Sequence, residues 1–291
     1  MLTLEQWRSM GKVAELDGRR VFYVDSGDSH LPSLLLIHGF PTAGWDFVAV
    51  YPALAETHRV IVPDMLGFGF SEKPREHDYR IVEQASLLDD LLGLLGVTQV
   101  AVLAHDYGDS VAQELIARQQ DGSLKSRLTS VCLLNGGLFP ETHRPRLVQR
   151  LLLSPLGPLL GRSMSRRSFD RSMCGVFGTA TQPSRLELDA FWELVNHGDG
   201  RHIVHRLIRY MPEREAMRER WVAALENADV PVGLINGSAD PVSGEHMVVR
   251  FEQLVERAGF IRRLPGIGHY PQLEAAADVL DAYREFIAAP A

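Results

Sequence analysis

Apolar residues recur along the first half of this chain in two alternating rhythms. Compact apolar runs at 33–37, 59–62, 100–104 and 128–134 read as buried strands. Two further strand-like runs, 12–16 and 19–25, flank Asp17-Gly18, a dipeptide that signals a tight hairpin. Between the strands, 45–55, 82–95 and 110–118 read as helices; the second ends at Gly96, a residue suited to a left-handed helix cap. Strand alternating with helix predicts a mostly parallel sheet with helices on both faces. From about 138 to 219 the rhythm becomes helical segments punctuated by proline and glycine, with no strand. It then resumes with strand 232–235, helix 245–258, strand 260–264 and helix 275–287. The expectation is an eight-stranded α/β core in two parts, 1–137 and 223–291. A helical insertion, 138–222, would lie as a lid over the strand C-termini, where ligands bind in such sheets.

The chemistry-bearing residues cluster at those strand ends. Strand 100–104 runs straight into a helix through Ala104-His105-Asp106-Tyr107-Gly108, the small–x–nucleophile–x–Gly form of a nucleophile elbow. Asp106 stands where many hydrolases carry serine. The plainer reading is an aspartate capping the next helix, and Ser110 is a rival nucleophile that falls inside that helix. His38-Gly39-Phe40-Pro41 follows another buried strand and could aim backbone N–H groups at one point, with Phe40 and Tyr107 N–H as oxyanion-hole donors. Here His38 more naturally orients the loop than performs chemistry. Asp240 follows a late strand, and His269 sits on a Gly-flanked loop before a Pro-started helix. The chain order is nucleophile, acid, histidine.

Composition narrows the partners. A 291-residue chain with formal net charge −7 lacks the basic surface that nucleic acid requires. No GxGxxG, P-loop, HExxH or Cys/His spacing appears, so no cofactor and no metal are expected. Cys132 lies in an apolar run and Cys174 has no evident mate, so no disulfide is expected. The first sixteen residues carry Glu5, Arg8, Lys12 and Glu15 and no apolar core of a signal peptide; no run is long enough to span a bilayer. The expectation is a cytoplasmic monomer or homodimer acting on a small, apolar molecule, with no membrane partner.

With these residues in view, the sequence resembles the epoxide hydrolase and haloalkane dehalogenase branch of the α/β-hydrolases. Within that branch it is similar to the mesoderm-specific transcript family of animals and its bacterial relatives. The resemblance runs from about 33 to 288. It rests on His38-Gly-Phe-Pro-Thr42, Asp64-Met-Leu-Gly-Phe-Gly-Phe-Ser71 with Lys73-Pro74, and His105-Asp-Tyr-Gly-Asp109. It continues in Asn135-Gly-Gly-Leu-Phe-Pro-Glu-Thr-His-Arg-Pro145, Arg220-Trp221 and His269-Tyr-Pro-Gln-Leu-Glu274. The stretch 135–145 is not a general hydrolase motif, which makes the likeness specific. It implies the α/β-hydrolase fold and a two-step reaction: Asp106 attacks a saturated carbon to form an alkyl ester. His269, oriented by Asp240, then activates water against that ester.

The leaving group divides the branch. Dehalogenases commonly hold the departing halide with a Trp after the nucleophile and an Asn in the oxyanion loop. Here those positions are Tyr107 and Phe40, leaving Trp192 or Trp221 as possible donors. Epoxide hydrolases commonly protonate the ring oxygen with two lid tyrosines. Tyr210 fits the second; no tyrosine fits the first, so His197, His202 or His205 would have to replace it. Tyr210, His38, Trp45 and Trp192 are the candidate substrate-binding residues. The resulting expectation is an epoxide hydrolase-type enzyme, with dehalogenase, ester or lactone hydrolase, and a non-catalytic ligand-binding protein as alternatives. Asp109 either turns away from Asp106, finds an Arg partner or perturbs its pKa. Arg144, Arg146, Arg150, Arg162, Arg166, Arg167 and Arg171, opposed only by Asp170, read as a solvated helical face; capture of an anionic substrate or docking to an acidic surface is the sharper alternative.

Overall fold

A computed structural model describes residues 2–255 and 259–289. Eight strands form one sheet: β1 (Gly11–Leu16), β2 (Arg19–Asp25), β3 (Ser33–Ile37), β4 (Arg59–Pro63), β5 (Gln99–His105), β6 (Arg127–Leu134), β7 (Val232–Gly237) and β8 (Phe260–Leu264). Their order is β1-β2-β4-β3-β5-β6-β7-β8. The β1–β2 hairpin and the β2–β4 pair are antiparallel; the other neighbours run parallel. Asp17 and Gly18 both take positive φ, which is what the tight turn demands.

Side-chain alternation divides the sheet between two cores. Leu35, Ile37, Val102, Ala104, Val131 and Leu133 face one side. Covering them are α3 (Ile81–Leu94), α4 (Tyr107–Asp121), α11 (Arg218–Glu226) and α12 (Glu245–Leu254), through Leu88, Leu115, Trp221 and Phe251. Leu34, Leu36, Leu103, Cys132 and Leu134 face the other, under α1 (Leu4–Met10), α2 (Tyr51–Ala55) and α14 (Ala276–Ala288) through Trp7, Tyr51 and Tyr283. Strands buried on both faces must be apolar at nearly every position, which is why these runs were legible as strands.

Between β6 and β7 the chain is helical: α5 (Leu147–Leu153), α6 (Gly157–Ser163), α7 (Arg166–Cys174), α8 (Arg185–Asn196), α9 (Val204–Leu207), α10 (Tyr210–Ala216) and then α11. Ser165 and Ser184 cap α7 and α8 with reciprocal capping boxes. The expected helix 45–55 divides into a 3-10 turn, Gly44–Phe47, and α2, which begins at Tyr51-Pro52. The expected helix 245–258 is α12 to Leu254; its last three positions, 256–258, lie outside the described residues. The expected last helix, 275–287, is α14, and the Pro-started turn after His269 is a separate short helix, α13 (Pro271–Glu274). Both cysteines are free. No described helix is long and apolar enough to cross a membrane.

Candidate active site

Asp106 occupies the turn between β5 and α4. Its φ of 51° and ψ of −105° lie outside the regions L-residues ordinarily prefer. Such a turn needs clearance on both sides. A Cβ at Gly108 would stand 2.3 Å from the Ile37 carbonyl oxygen, and one at Gly39 would stand 2.9 Å from Asp106 Cβ. The two glycines let the elbow and the β3 loop nest together.

That contact brings the predicted loop onto the predicted nucleophile. Phe40 N–H donates to Asp106 Oδ2 at 3.0 Å. Tyr107 opens α4, so its N–H is among the helix-start groups that have no intrahelical acceptor. His38 holds the loop from beneath. Its Nδ1–H donates to Gly39 O at 2.8 Å, and its Nε2 accepts Met65 N–H at 3.0 Å. Burial pushes its pKa down to about 4, consistent with a neutral ring that positions rather than reacts. Asp64 ties the same region together by accepting Gly44 N–H at 2.8 Å and Phe70 N–H at 2.7 Å.

The acid and the histidine meet at the other side of the turn. His269 Nδ1–H donates to Asp240 Oδ2 at 2.7 Å, while its Nε2 stands 3.9 Å from Asp106 Oδ2. Asp240 is saturated: Val242 N–H, Ser243 N–H and Asn135 Nδ2–H also donate to it, at 2.7, 3.1 and 3.1 Å. His105 Nε2–H donates to the His269 carbonyl at 2.7 Å and fixes the loop from the elbow side. Burial opposes charge on His269, but Asp240 and then Asp106 raise its pKa well above the ordinary imidazole value. Burial likewise opposes the Asp106 charge, and His269 with Arg214 outweighs it, holding the carboxyl below the usual carboxylate range.

Several positions were not singled out by the sequence reading. Arg214 is 3% exposed; its Nη2 donates to Asp106 O at 3.2 Å and stands 3.9 Å from Asp106 Oδ1. The guanidinium lies over the Tyr210 ring, 4.6 Å from its centroid. Tyr210 and Arg214 share an i,i+4 face of α10, the one sequence signal that could have paired them. Arg214 Nε–H also donates to Ser110 Oγ at 2.6 Å, so this serine faces the arginine rather than the elbow's open side. Asn135 joins β6 to the acid loop: besides Asp240 it bonds Gly237 through both ends of its amide. It was visible only as part of the 135–145 motif.

Asp109 finds no arginine within ion-pair distance among the described residues. It is fully buried, and Oδ1 accepts Leu134 N–H at 3.4 Å. Burial, then the Asp106 charge, pushes its pKa well above the carboxylate range.

A cavity opens over Asp106 and His269. The core contributes Phe40, Pro41, Val242 and Tyr270; the inserted helices and their connections contribute Arg146, Val148, Gln149, Leu152, Met164, Ser168, Phe169, Ser172, Met173, Val176 and Val204. Most of these side chains are apolar. Tyr210 does not line it but packs directly behind, against Phe40 (5.9 Å) and Tyr107 (5.1 Å), with its hydroxyl buried and without a hydrogen-bond partner among the described residues. Trp45 stands in the core against Phe191, and Trp192 lies one layer back, against Phe169. The Trp221 indole N–H is taken by Glu114 Oε2 at 2.8 Å. His197, His202 and His205 are absent from the lining. Among the described residues no His/Cys/Asp/Glu group is placed to hold a metal ion.

The family model described as alpha/beta hydrolase fold matches residues 32–276. Among curated proteins, the bovine (Bos taurus) mesoderm-specific transcript homolog protein is 42% identical over 98% of this chain and 88% of its own length. The LipZ hydrolase of Mycobacterium tuberculosis is 40% identical over 94% of each chain. Among solved structures, a loop variant of the haloalkane dehalogenase DbeA from Bradyrhizobium elkanii superposes with TM-score 0.79 at 22% identity, covering 96% of both chains. The epoxide hydrolase CorEH superposes with TM-score 0.76 at 21% identity, over 96% of this chain and 98% of its own.

Proposed function

Because this chain belongs to the alpha/beta hydrolase fold family, we propose that it is an epoxide hydrolase-type enzyme working through a covalent ester on Asp106. The observation that carries the reading is the carboxylate at the elbow, with Phe40 N–H on one oxygen and the His269–Asp240 pair behind it. An ionised Asp106 attacks an epoxide carbon; the ring C–O bond breaks, and the oxygen leaves as an alkoxide that takes a proton. The protonated His269 supplies that proton by way of water in the cavity it lines, while the Tyr210 hydroxyl stays buried behind Phe40 and Tyr107. Gln149, which lines the cavity, stands in for the absent first lid tyrosine as a hydrogen-bond donor to the alkoxide; its Oε1 accepts Arg146 N–H at 2.8 Å. The product of this step is a hydroxyalkyl ester.

Esterification removes the Asp106 charge, one of the influences holding His269 protonated. Having given its proton to the alkoxide, His269 is neutral and becomes a base. It takes a proton from water, and the resulting hydroxide attacks the ester carbonyl carbon of Asp106. Phe40 and Tyr107 N–H groups hold the tetrahedral oxyanion. Collapse releases the diol and regenerates the carboxylate, and the helices between β6 and β7 act as a lid that keeps bulk water out. Halide release is less well served, since Phe40 and Tyr107 carry no side-chain N–H and the Trp221 indole is engaged by Glu114.

The test is His269→Gln incubated with epoxides, haloalkanes and small esters, read by intact mass. A stable adduct heavier by the whole epoxide, mapped to Asp106, is the expected result. An alkyl adduct with free halide would convert the assignment to dehalogenase. Ester turnover by the wild type without any adduct from epoxides would sink the epoxide reading.

A further inference from the structure

Among the described residues twelve large hydrophobic side chains are exposed, and half of them fall within thirteen residues: Leu147, Val148, Leu151, Leu153, Leu156 and Leu159. The other six are scattered through the chain. Leu147, Leu156 and Leu159 are 72%, 60% and 65% exposed. They lie on α5, α6 and the turn between, so they form one apolar area rather than isolated residues. A concentrated apolar patch on a chain of this size marks a contact surface.

Its surroundings are of one charge sign. From Arg144 to Arg171 there are seven arginines and one acid, Asp170, in a chain whose formal net charge is −7. Asp170 is already matched by Arg166 and Arg185. Among the described residues Arg144, Arg150, Arg162, Arg167 and Arg171 form no ion pair, and all five are exposed. Elsewhere on the surface, arginines such as Arg218, Arg220 and Arg263 are paired with carboxylates.

We propose that this face docks on the surface of an anionic phospholipid bilayer. Aliphatic side chains rimmed by unpaired arginines match an interface of acyl chains beneath negative headgroups. A second copy fits less well, because a two-fold contact would set the same unpaired arginines against each other. A protein groove ordinarily engages aromatic anchors, and this patch has none. Val148 is both 40% exposed and part of the cavity lining, so the cavity reaches the surface within the patch. A docked molecule would take an apolar substrate directly from the lipid. The docking itself does not depend on which reaction Asp106 performs.

The experiment is vesicle co-sedimentation of the full chain, using phosphatidylcholine vesicles with and without phosphatidylglycerol. Binding is expected only with phosphatidylglycerol and should fall steeply with added salt. Leu147→Ser with Leu156→Ser and Leu159→Ser should weaken it at least about tenfold, as should Arg150→Gln with Arg162→Gln and Arg167→Gln. Leu94→Ser, an equally exposed position on α3, should leave it unchanged. Hydrogen exchange on the wild type requires no variant: protection on vesicles should be confined to about 144–171. Equal binding to both vesicle types, no binding, or protection elsewhere would overturn the proposal. So would sedimentation velocity showing a dimer that the leucine substitutions abolish, which would assign the face to a second copy.

Discussion

Asp106 and Asp109 carry the same side chain, three residues apart and both buried, yet their surroundings drive them in opposite directions. Burial raises both. At Asp106 it is outweighed by His269 and Arg214; at Asp109 the Asp106 charge adds to it. These surroundings favour the anion at the first and the neutral acid at the second. A neutral acid tolerates replacement by its amide, so Asp109→Asn should change stability by less than about 1 kcal/mol. Asp109→Ala, which leaves Leu134 N–H without its acceptor, should cost about 1–3 kcal/mol. Urea unfolding compares them, and equal losses would mean that Asp109 is charged. Arg214 lowers the Asp106 pKa, so removing its charge raises it. In a His269→Gln background, Arg214→Met should move the acid limb of adduct formation to higher pH by about one unit. An unmoved limb would reduce Arg214 to a packing residue. For Asp109 the sequence offered a perturbed pKa as one of three alternatives, and burial beside Asp106 favours it; the role of Arg214 was not readable beforehand, because its neighbour lies 108 residues away.

The elbow is the element most legible in the sequence. Its small residues are required by local sterics, and local sterics leave a local signature. Gly108→Ala should fail to fold or lose most of its stability, since the new methyl would stand 2.3 Å from a strand carbonyl that cannot withdraw. Soluble yield and thermal melting report this. Helix boundaries were less legible. α4 begins at Tyr107 rather than 110 and continues to Asp121, because its first turn is dictated by the elbow and its last is polar. The 45–55 stretch reads as one apolar helix, but Asp64 captures Gly44 N–H and Pro52 restarts the chain as α2. Asn135 shows an element-level dependency of the same kind. Asn135→Ala would release Asp240 and Gly237 together. It should lower kcat about tenfold or more on an accepted substrate with a smaller change in KM, and Asn135→Asp should not rescue it, because Asp240 would then face a second carboxylate.

Across the whole molecule, buried titratable groups couple folding to pH. Asp46, Asp109 and His269 all have folded pKa values well above their ordinary ones; burial raises the two carboxyls, while for His269 Asp240 and Asp106 overcome it. Groups with a raised folded pKa hold protons that the unfolded chain releases, so their contribution is complete at low pH and is lost as pH rises. His38, His105 and His143, pushed down by burial to about 4, 3 and 4, act in the reverse sense but only below the ordinary imidazole value of ~6.5. Unfolding free energy should therefore decline as pH rises from about 6.5 to 8, by up to ~1.4 kcal/mol per unit for each raised group. His269→Gln should make that slope shallower. A flat or rising profile in urea titrations would mean that these groups are already deprotonated in the folded state. By itself the sequence determined the strand–helix alternation, the break in it after β6, the elbow and the chain order of Asp106, Asp240 and His269. Each is a matter of period, turn sterics or chain order, which are properties of neighbours along the chain. Only the tertiary structure decided that Arg214 underlies Asp106, that Asn135 locks Asp240, that Trp45 and Trp221 are core residues, and that Leu147 to Leu159 face outward. These are pairings between distant segments, and burial and charge act through space rather than along the chain.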